Sequence, residues 1–173
     1  SEKEISPCAA SVIDNAKNVS AELILIDNDS RDNTFNVMNK IQYGNIQTYK
    51  NASNPGFTKA VNQGISYSKG RNVLLLNPDT ILAEGALEKM NVFLNENPGY
   101  GACAPLMLNA DGTVQNSVRN FPDYWAMLCE FSMLSSVFPK TKLFGGWKMK
   151  YFDYSADADI QQPMAAALMI RKS

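Results

Sequence analysis

The chain has 173 residues, 45% of them hydrophobic, and its 16 Lys and Arg nearly balance its 17 Asp and Glu, giving a formal charge of −1. That length and composition suit one domain with a real core, and the near-zero charge offers no large field for attracting nucleic acid or an anionic membrane, so polyanion binding is a poor first reading. Histidine is absent, so acid–base or metal chemistry must rest on carboxylates, hydroxyls and amides.

In chain order, the first clear strand is ELILID, from Glu22 to Asp27, with NDSRDNT behind it supplying turn residues and a helix cap. FNVMNKI then sets Phe35, Met38 and Ile41 at helical spacing, and NIQTYK after Gly44 reads as a weaker strand. Asn54, Pro55 and Gly56 break that strand. Phe57, Val61 and Ile65 mark one face of the helix that follows, which stops near Gly70. NVLLLN, from Asn72, is the most buried-looking strand. A helix with Leu87, Met90 and Leu94 on one side comes next and ends at Pro98-Gly99. Strand–helix alternation of this kind predicts an α/β fold with a mostly parallel sheet and helices on both faces.

From Gly101 the pattern changes. GACAPLMLNADGTVQNSVRNFP predicts a hairpin turning at Asp111-Gly112. The apolar helix after it, with Trp125, Met127, Leu128, Phe131, Met133 and Leu134, is read as core packing, with a membrane surface or a lipid-linked substrate as the alternative. Residues 140–162 have no firm periodicity, and PMAAALMIRK predicts a last buried strand. Cys8, Cys103 and Cys129 lack metal-like spacing and read as reduced packing residues of a cytoplasmic protein. No apolar run reaches the ~20 residues of a membrane span, and no basic-then-apolar leader opens the chain.

Three strands end in polar residues: Asp27-Asn28, Asn54-Pro55-Gly56 and Asn77-Pro78-Asp79. Ligands of open α/β sheets bind beyond the carboxyl ends of the strands, where loops and helix N-termini converge, so the repetition predicts one polar crevice. Asp79 there suits a hard divalent cation, which prefers oxygen ligands and can bridge diphosphate oxygens. The alternative is that Asp27 and Asp79 only cap the helices that follow.

ELILIDNDSRDNT, NPGFTKAVNQGISYSKGRNVLLLNPDT, GACAPLMLNADGTVQNSVRNFP and QQPMAAALMIRK together resemble the family 2 glycosyltransferases, most closely their rhamnosyltransferase-like branch, from about Cys8 to Arg171. The resemblance implies the GT-A fold, a Rossmann-like domain binding a nucleoside-diphosphate sugar and a divalent metal, Mg2+ or Mn2+. Residues 1–100 would form the nucleotide-sugar-binding half and 101–173 the acceptor-side half of a single domain. Asp27 would accept from the imide N–H of the nucleobase, with Asn28 to Ser30 lining the nucleoside pocket. Asn54, Gly56 and Phe57 would form the loop that approaches the nucleotide, Gly56 allowing close backbone contact. Asn62 takes the family's polar position near the donor. Asn77-Pro78-Asp79 stands where the family has a metal-binding D-x-D motif, with Asp79 the principal metal ligand and Asn77 a neutral helper. Arg119 is a candidate for the sugar or acceptor side, or a structural arginine.

The activity implied is transfer with inversion from a donor such as dTDP-rhamnose to a polysaccharide or lipid-linked acceptor. It would take place in the cytoplasm or peripherally at the inner face of the cytoplasmic membrane. Two family features have no counterpart: a first strand ahead of the helix near Glu4, and a later acidic motif carrying the catalytic base. The expectation is therefore a fragment of a larger transferase, with its catalytic residue unassigned and the alternative of a non-catalytic sugar-nucleotide-binding module. Asp153, Asp157 and Asp159 do not match that motif and read as solvated loop residues. Ala165 replaces a usual Gly, narrowing the acceptor side.

LILIDNDS also fits a haloacid-dehalogenase phosphatase, with Asp27 as nucleophile and Asp29 as acid–base partner. That reading is disfavoured by Arg31, which stands where Thr or Val is usual, and by the missing acidic pair. No G-x-G-x-x-G follows a strand, which disfavours a dinucleotide oxidoreductase. The sequons at Asn18, Asn28 and Asn51 read as chance in an Asn-rich chain.

Overall fold

The computed structural model describes residues 2–172. The chain forms two units: one comprises the residues up to Ala104 together with those from Ala165 onward, the other Pro105–Met164.

The first unit opens with α1 (Ile5–Asn15) and a single 3-10 turn, then β1 (Leu23–Asp27), α2 (Thr34–Met38), β2 (Ile46–Lys50), α3 (Phe57–Tyr67), β3 (Asn72–Leu76), α4 (Ala86–Glu96) and β4 (Ala102–Cys103). The second unit holds β5 (Val118–Arg119), α5 (Tyr124–Phe131), α6 (Leu134–Val137) and β6 (Gln162–Pro163). The chain then returns to the first unit as β7 (Ala167–Arg171). β1 and β2 are parallel, with Leu23 opposite Ile46 and Asp27 opposite Lys50, so both strands end on the same edge. β7 runs antiparallel to both its neighbours, β3 and β4. The architecture is α/β, as the strand–helix alternation predicts.

Two apolar clusters hold the first unit together. Ile5, Leu25 and Met38 form one, under β1 and α2. Leu82, Leu87, Met90, Leu94 and Met169 form the other, with Leu74 and Leu76 of β3 packed against it. α1 joins the two because Ile5, Cys8 and Ala9 lie on one buried face, while Val12 and Ala16, further along the same face, touch the second cluster. In α4 the spacing of Leu87, Met90 and Leu94 places all three inside, as the sequence predicts.

Two expectations are corrected here. β3 is half-buried along its whole length rather than the most buried strand; among the described residues its only strand partner is β7, so its other edge is uncovered by the sheet. The face of α3 marked by Phe57, Val61 and Ile65 is not a buried one: no residue of that helix is buried, and Phe57 is 63% exposed. That helix approaches β1 instead through Gly64, where a Cβ would stand 3.4 Å from Ile26 Cδ1.

In the second unit the expected hairpin is present. Leu108 bridges Val114, Asn109 N donates to Thr113 O at 2.8 Å, and Gly112 turns with φ 82°. β5 pairs antiparallel with β6. The Tyr154 hydroxyl accepts from Ser117 N and Val118 N at 2.9 and 3.1 Å, tying the irregular 140–162 segment to β5. α5 departs from its reading as core: only Ala126 and Cys129 are buried, and the rest of its apolar side chains face solvent. The three cysteines are free.

Candidate functional site

The site builds from the carboxyl end of β1. Asp27 is the last residue of the ladder, opposite Lys50, and its position inside the sheet leaves it 2% exposed. Its Oδ1 accepts from Ser30 N at 3.3 Å. Its Oδ2 is buried with no hydrogen-bond partner. Since nearly all buried polar atoms in folded proteins are paired, this lone carboxylate oxygen at a strand end calls for a donor from outside the chain's own atoms. Asp27 does not cap a helix: the N-cap of α2 is Asn33, which makes no side-chain cap. Asp29, two residues on, is exposed at φ 62°.

Beside Asp27 lies a web of amides. Asn51 N continues the β1–β2 ladder by donating to Asp27 O at 2.9 Å. Asn28 Nδ2 donates to Asn54 Oδ1 at 2.8 Å, and Asn51 Nδ2 donates to Asn28 Oδ1 and Gln63 Oε1, each at 3.0 Å. Gly56 N donates to the same Asn54 oxygen at 2.9 Å. Gly56 itself has φ 91°, which side chains rarely tolerate, while a Cβ there would meet nothing within 4 Å. Its glycine is therefore explained by backbone conformation, not by crowding within the chain.

The structure thus links Asp27, Asn28, Ser30, Asn54 and Gly56 at one sheet edge, with Phe57 at the start of α3 exposed nearby in sequence. Asn62 is exposed and outside this web; the helix residue that joins it is Gln63. Asn51 and Gln63 were missed from sequence. The signal for Asn51 was its place directly after the β2 strand, and for Gln63 its helical spacing to Tyr67, whose hydroxyl accepts from Gln63 Nε2 at 3.2 Å. Two of the sequon asparagines, Asn28 and Asn51, use their amide nitrogens in this web.

Asn77 and Asp79 sit in a turn after β3, closed by Thr80 N donating to Asn77 O at 3.1 Å. α1 pins this loop. Cys8 Sγ donates to Asn77 O at 3.6 Å, and Leu82 N donates to Ser11 Oγ at 3.0 Å. Asp79 is exposed, and among the described residues no hydrogen bond reaches its carboxylate; the N-cap of α4 is Gly85, so Asp79 is no cap either. Burial pushes the Cys8 thiol up to about 11, with the neighbouring Asp79 charge adding to the effect.

Asp79 and Asn77 offer the hard oxygen donors that Mg2+ or Mn2+ prefers. Among the described residues no group of three or more His, Cys, Asp or Glu could hold a metal. Asp79 and Asn77 alone do not make such a group, so a cation there would need most of its oxygens from outside the chain.

The other named residues lie in the second unit or at its border. Arg119 donates through Nη1 to the carbonyls of Asn116, Val118 and Lys148, a structural arrangement. Asp153, Asp157 and Asp159 are exposed, and Ser155 N, donating to Asp153 Oδ1, holds that carboxyl below its usual range. Ala165 is exposed.

Residues 1–160 match the model of "Glycosyl transferase family 2". The chain belongs to that family. It is accordingly a glycosyltransferase domain of the GT-A fold. Over 78 residues it is 32% identical to "Minor teichoic acid biosynthesis protein GgaB" of Bacillus subtilis (strain 168). That match covers 44% of this chain and 9% of the relative. Family membership sets aside the phosphatase reading of Asp27 and Asp29. Among the described residues no helix is long and apolar enough to cross a membrane.

Proposed function

We propose that this domain binds a nucleoside-diphosphate sugar at the carboxyl edge of β1 and β2 and passes the sugar, with inversion, to a saccharide or lipid-linked acceptor. The observation that carries the reading is the buried Asp27 oxygen with no donor, beside loops tied by Asn28, Asn51 and Asn54. An imide N–H of a uracil or thymine base supplies the missing donor. Asn28, Ser30, Asn54, Gly56, Phe57 and Asn62 border the nucleotide, and the amide web fixes the loop shape before ligand arrives, which limits the ordering cost of binding.

Asp79, with Asn77 beside it, would hold the divalent cation. The cation, when bound, neutralises charge on the departing diphosphate. The acceptor hydroxyl attacks the anomeric carbon, the bond from that carbon to the diphosphate oxygen breaks, and the nucleoside diphosphate leaves with the bonding pair. The proton of the acceptor hydroxyl goes to a base whose residue is unassigned.

The resemblance to the rhamnosyltransferase-like branch supports dTDP-rhamnose as donor. The GgaB similarity supports a cell-wall or cell-surface polymer as acceptor, made in the cytoplasm or at the inner face of the cytoplasmic membrane. The test is calorimetry with UDP and dTDP, with and without Mn2+. Binding that needs the metal and is lost in Asp79→Ala, a change at an exposed side chain that leaves the melting temperature unchanged, supports the reading. Metal-independent binding unaffected by Asp79→Ala refutes Asp79 as the ligand, and no binding of either nucleotide refutes the donor site.

A further inference from the structure

We propose that the outer face of α5, continued through α6 and the loop after it, is a docking surface for an anionic lipid bilayer. The inference stands apart from the donor site, because it concerns only the second unit.

The helix reads YWAMLCEF, and its buried residues, Ala126 and Cys129, form a narrow line three residues apart. Opposite them Tyr124, Leu128 and Phe131 recur at i, i+4 and i+7, which places them along one side of the helix. That side is as apolar as a core-facing stripe, yet Tyr124 is 98% and Phe131 81% exposed. Val137 and Leu143 extend the exposed apolar surface past the helix. The one charge within α5 is Glu130, and Lys148 neutralises it at 2.6 Å. Exposed apolar patches of this extent on a folded unit mark an interaction surface.

The chain's net charge of −1 gives no long-range attraction to anionic lipid, so the occupant is selected by the local charge beside the patch. Between Phe131 and Phe152 the chain carries Lys140, Lys142, Lys148 and Lys150 and no Asp or Glu. Glu130 pairs with Lys148 and also acts on Lys150, which leaves Lys140 and Lys142 exposed and without an acidic partner among the described residues. Apolar and aromatic side chains next to unpaired lysines suit the boundary between acyl chains and anionic headgroups. Trp125 borders the patch, and its ring is fixed by Nε1 donating to Leu143 O at 2.8 Å. A protein partner would match the apolar part but gives no reason for lysines without acidic neighbours.

The test is co-sedimentation of the whole chain with phosphatidylcholine vesicles and with vesicles containing phosphatidylglycerol, alongside tryptophan fluorescence in a Trp147→Phe background that isolates Trp125. The chain is expected to pellet with the anionic vesicles, to be released by salt, and to show a blue shift of Trp125. Phe131→Glu should lower partitioning roughly tenfold or more with an unchanged melting temperature, since the side chain is exposed. Lys140→Gln and Lys142→Gln should each cost about fivefold on anionic vesicles and nothing on neutral ones. The proposal is overturned if the chain stays in the supernatant, or if Phe131→Glu and the lysine variants bind vesicles as well as the parent. It is also overturned if the face proves to be covered by a second copy, seen as a dimer that Phe131→Glu dissolves, without vesicle binding.

Discussion

Replacing Asp27 by Asn separates stability from ligand binding at a single atom. The variant keeps the Oδ1 acceptor for Ser30 N, bonded at 3.3 Å, and exchanges the unpartnered Oδ2 for a neutral amide nitrogen. An unpaired buried polar atom costs about 1–3 kcal/mol, and more when charged. The amide leaves an N–H unpaired in turn, so the net gain is the difference between a charged and a neutral orphan, on the order of 1 kcal/mol. For a chain of this size that raises the melting temperature by roughly 2–4 °C. Nucleotide binding should move the other way. A hydrogen bond to a charged acceptor contributes about 1.5–3 kcal/mol, so affinity for UDP or dTDP should fall by roughly 10- to 150-fold. Urea unfolding of the free protein and calorimetry with the nucleoside diphosphate measure the two arms. A variant that unfolds at lower urea while binding nucleotide as before would refute the reasoning, because Oδ2 would then have a partner within the protein and none in the ligand.

Other outcomes follow from the same geometry. Leu94→Ala, at a side chain with no exposure in the larger cluster, should cost about 2–5 kcal/mol in urea unfolding. Gly56→Ala meets no steric neighbour but must adopt φ 91°; it should lower stability by about 1–2 kcal/mol and weaken nucleotide binding together. The Cys8 thiol, raised from 9.0 to about 11, holds its proton in the folded chain at pH values where the unfolded chain releases it. Stability should therefore be complete below pH 9 and fall as pH rises toward 11, by roughly 2–3 kcal/mol for this group. Cys8→Ala should flatten that part of a urea-midpoint profile, and a profile equally steep without the thiol would show another group responsible.

How much was legible in the sequence depended on how local the cause was. The runs LILID, IQTYK and NVLLL became strands at the expected places, and the face of α4 followed from spacing alone. The burial of β3 was misread because an apolar run does not say how many neighbours its strand has. The exposure of α5 was misread for a related reason: periodicity identifies an apolar face but not what covers it. Asp27 and Asp79 looked alike as strand-end carboxylates, yet one is buried and the other exposed. Asp27 is the last residue within its ladder, whereas Asp79 lies beyond the end of β3, in a turn. The amide web was legible only in part, because Gln63 rather than Asn62 joins it through the helical phase of α3.

That phase matters because the two carboxylates belong to different sheets. β1 pairs with β2 and β3 with β7, and among the described residues no strand bridges the pairs. The element that packs on both is α1, with Ile5 against Leu25 and Met38 and with Val12 against the cluster of Leu82, Leu87 and Leu94. The same helix fixes the turn carrying Asp79, through Cys8 to Asn77 O and Ser11 to Leu82 N. Packed interiors transmit small displacements rather than absorbing them. The spacing between Asp27 and Asp79 is therefore set by the seating of one helix, through its buried side chains Ile5, Cys8 and Ala9. The relative placement of the two carboxylates should tolerate changes in the exposed loops more readily than changes on the inner face of α1, where a shift of the helix moves one against the other.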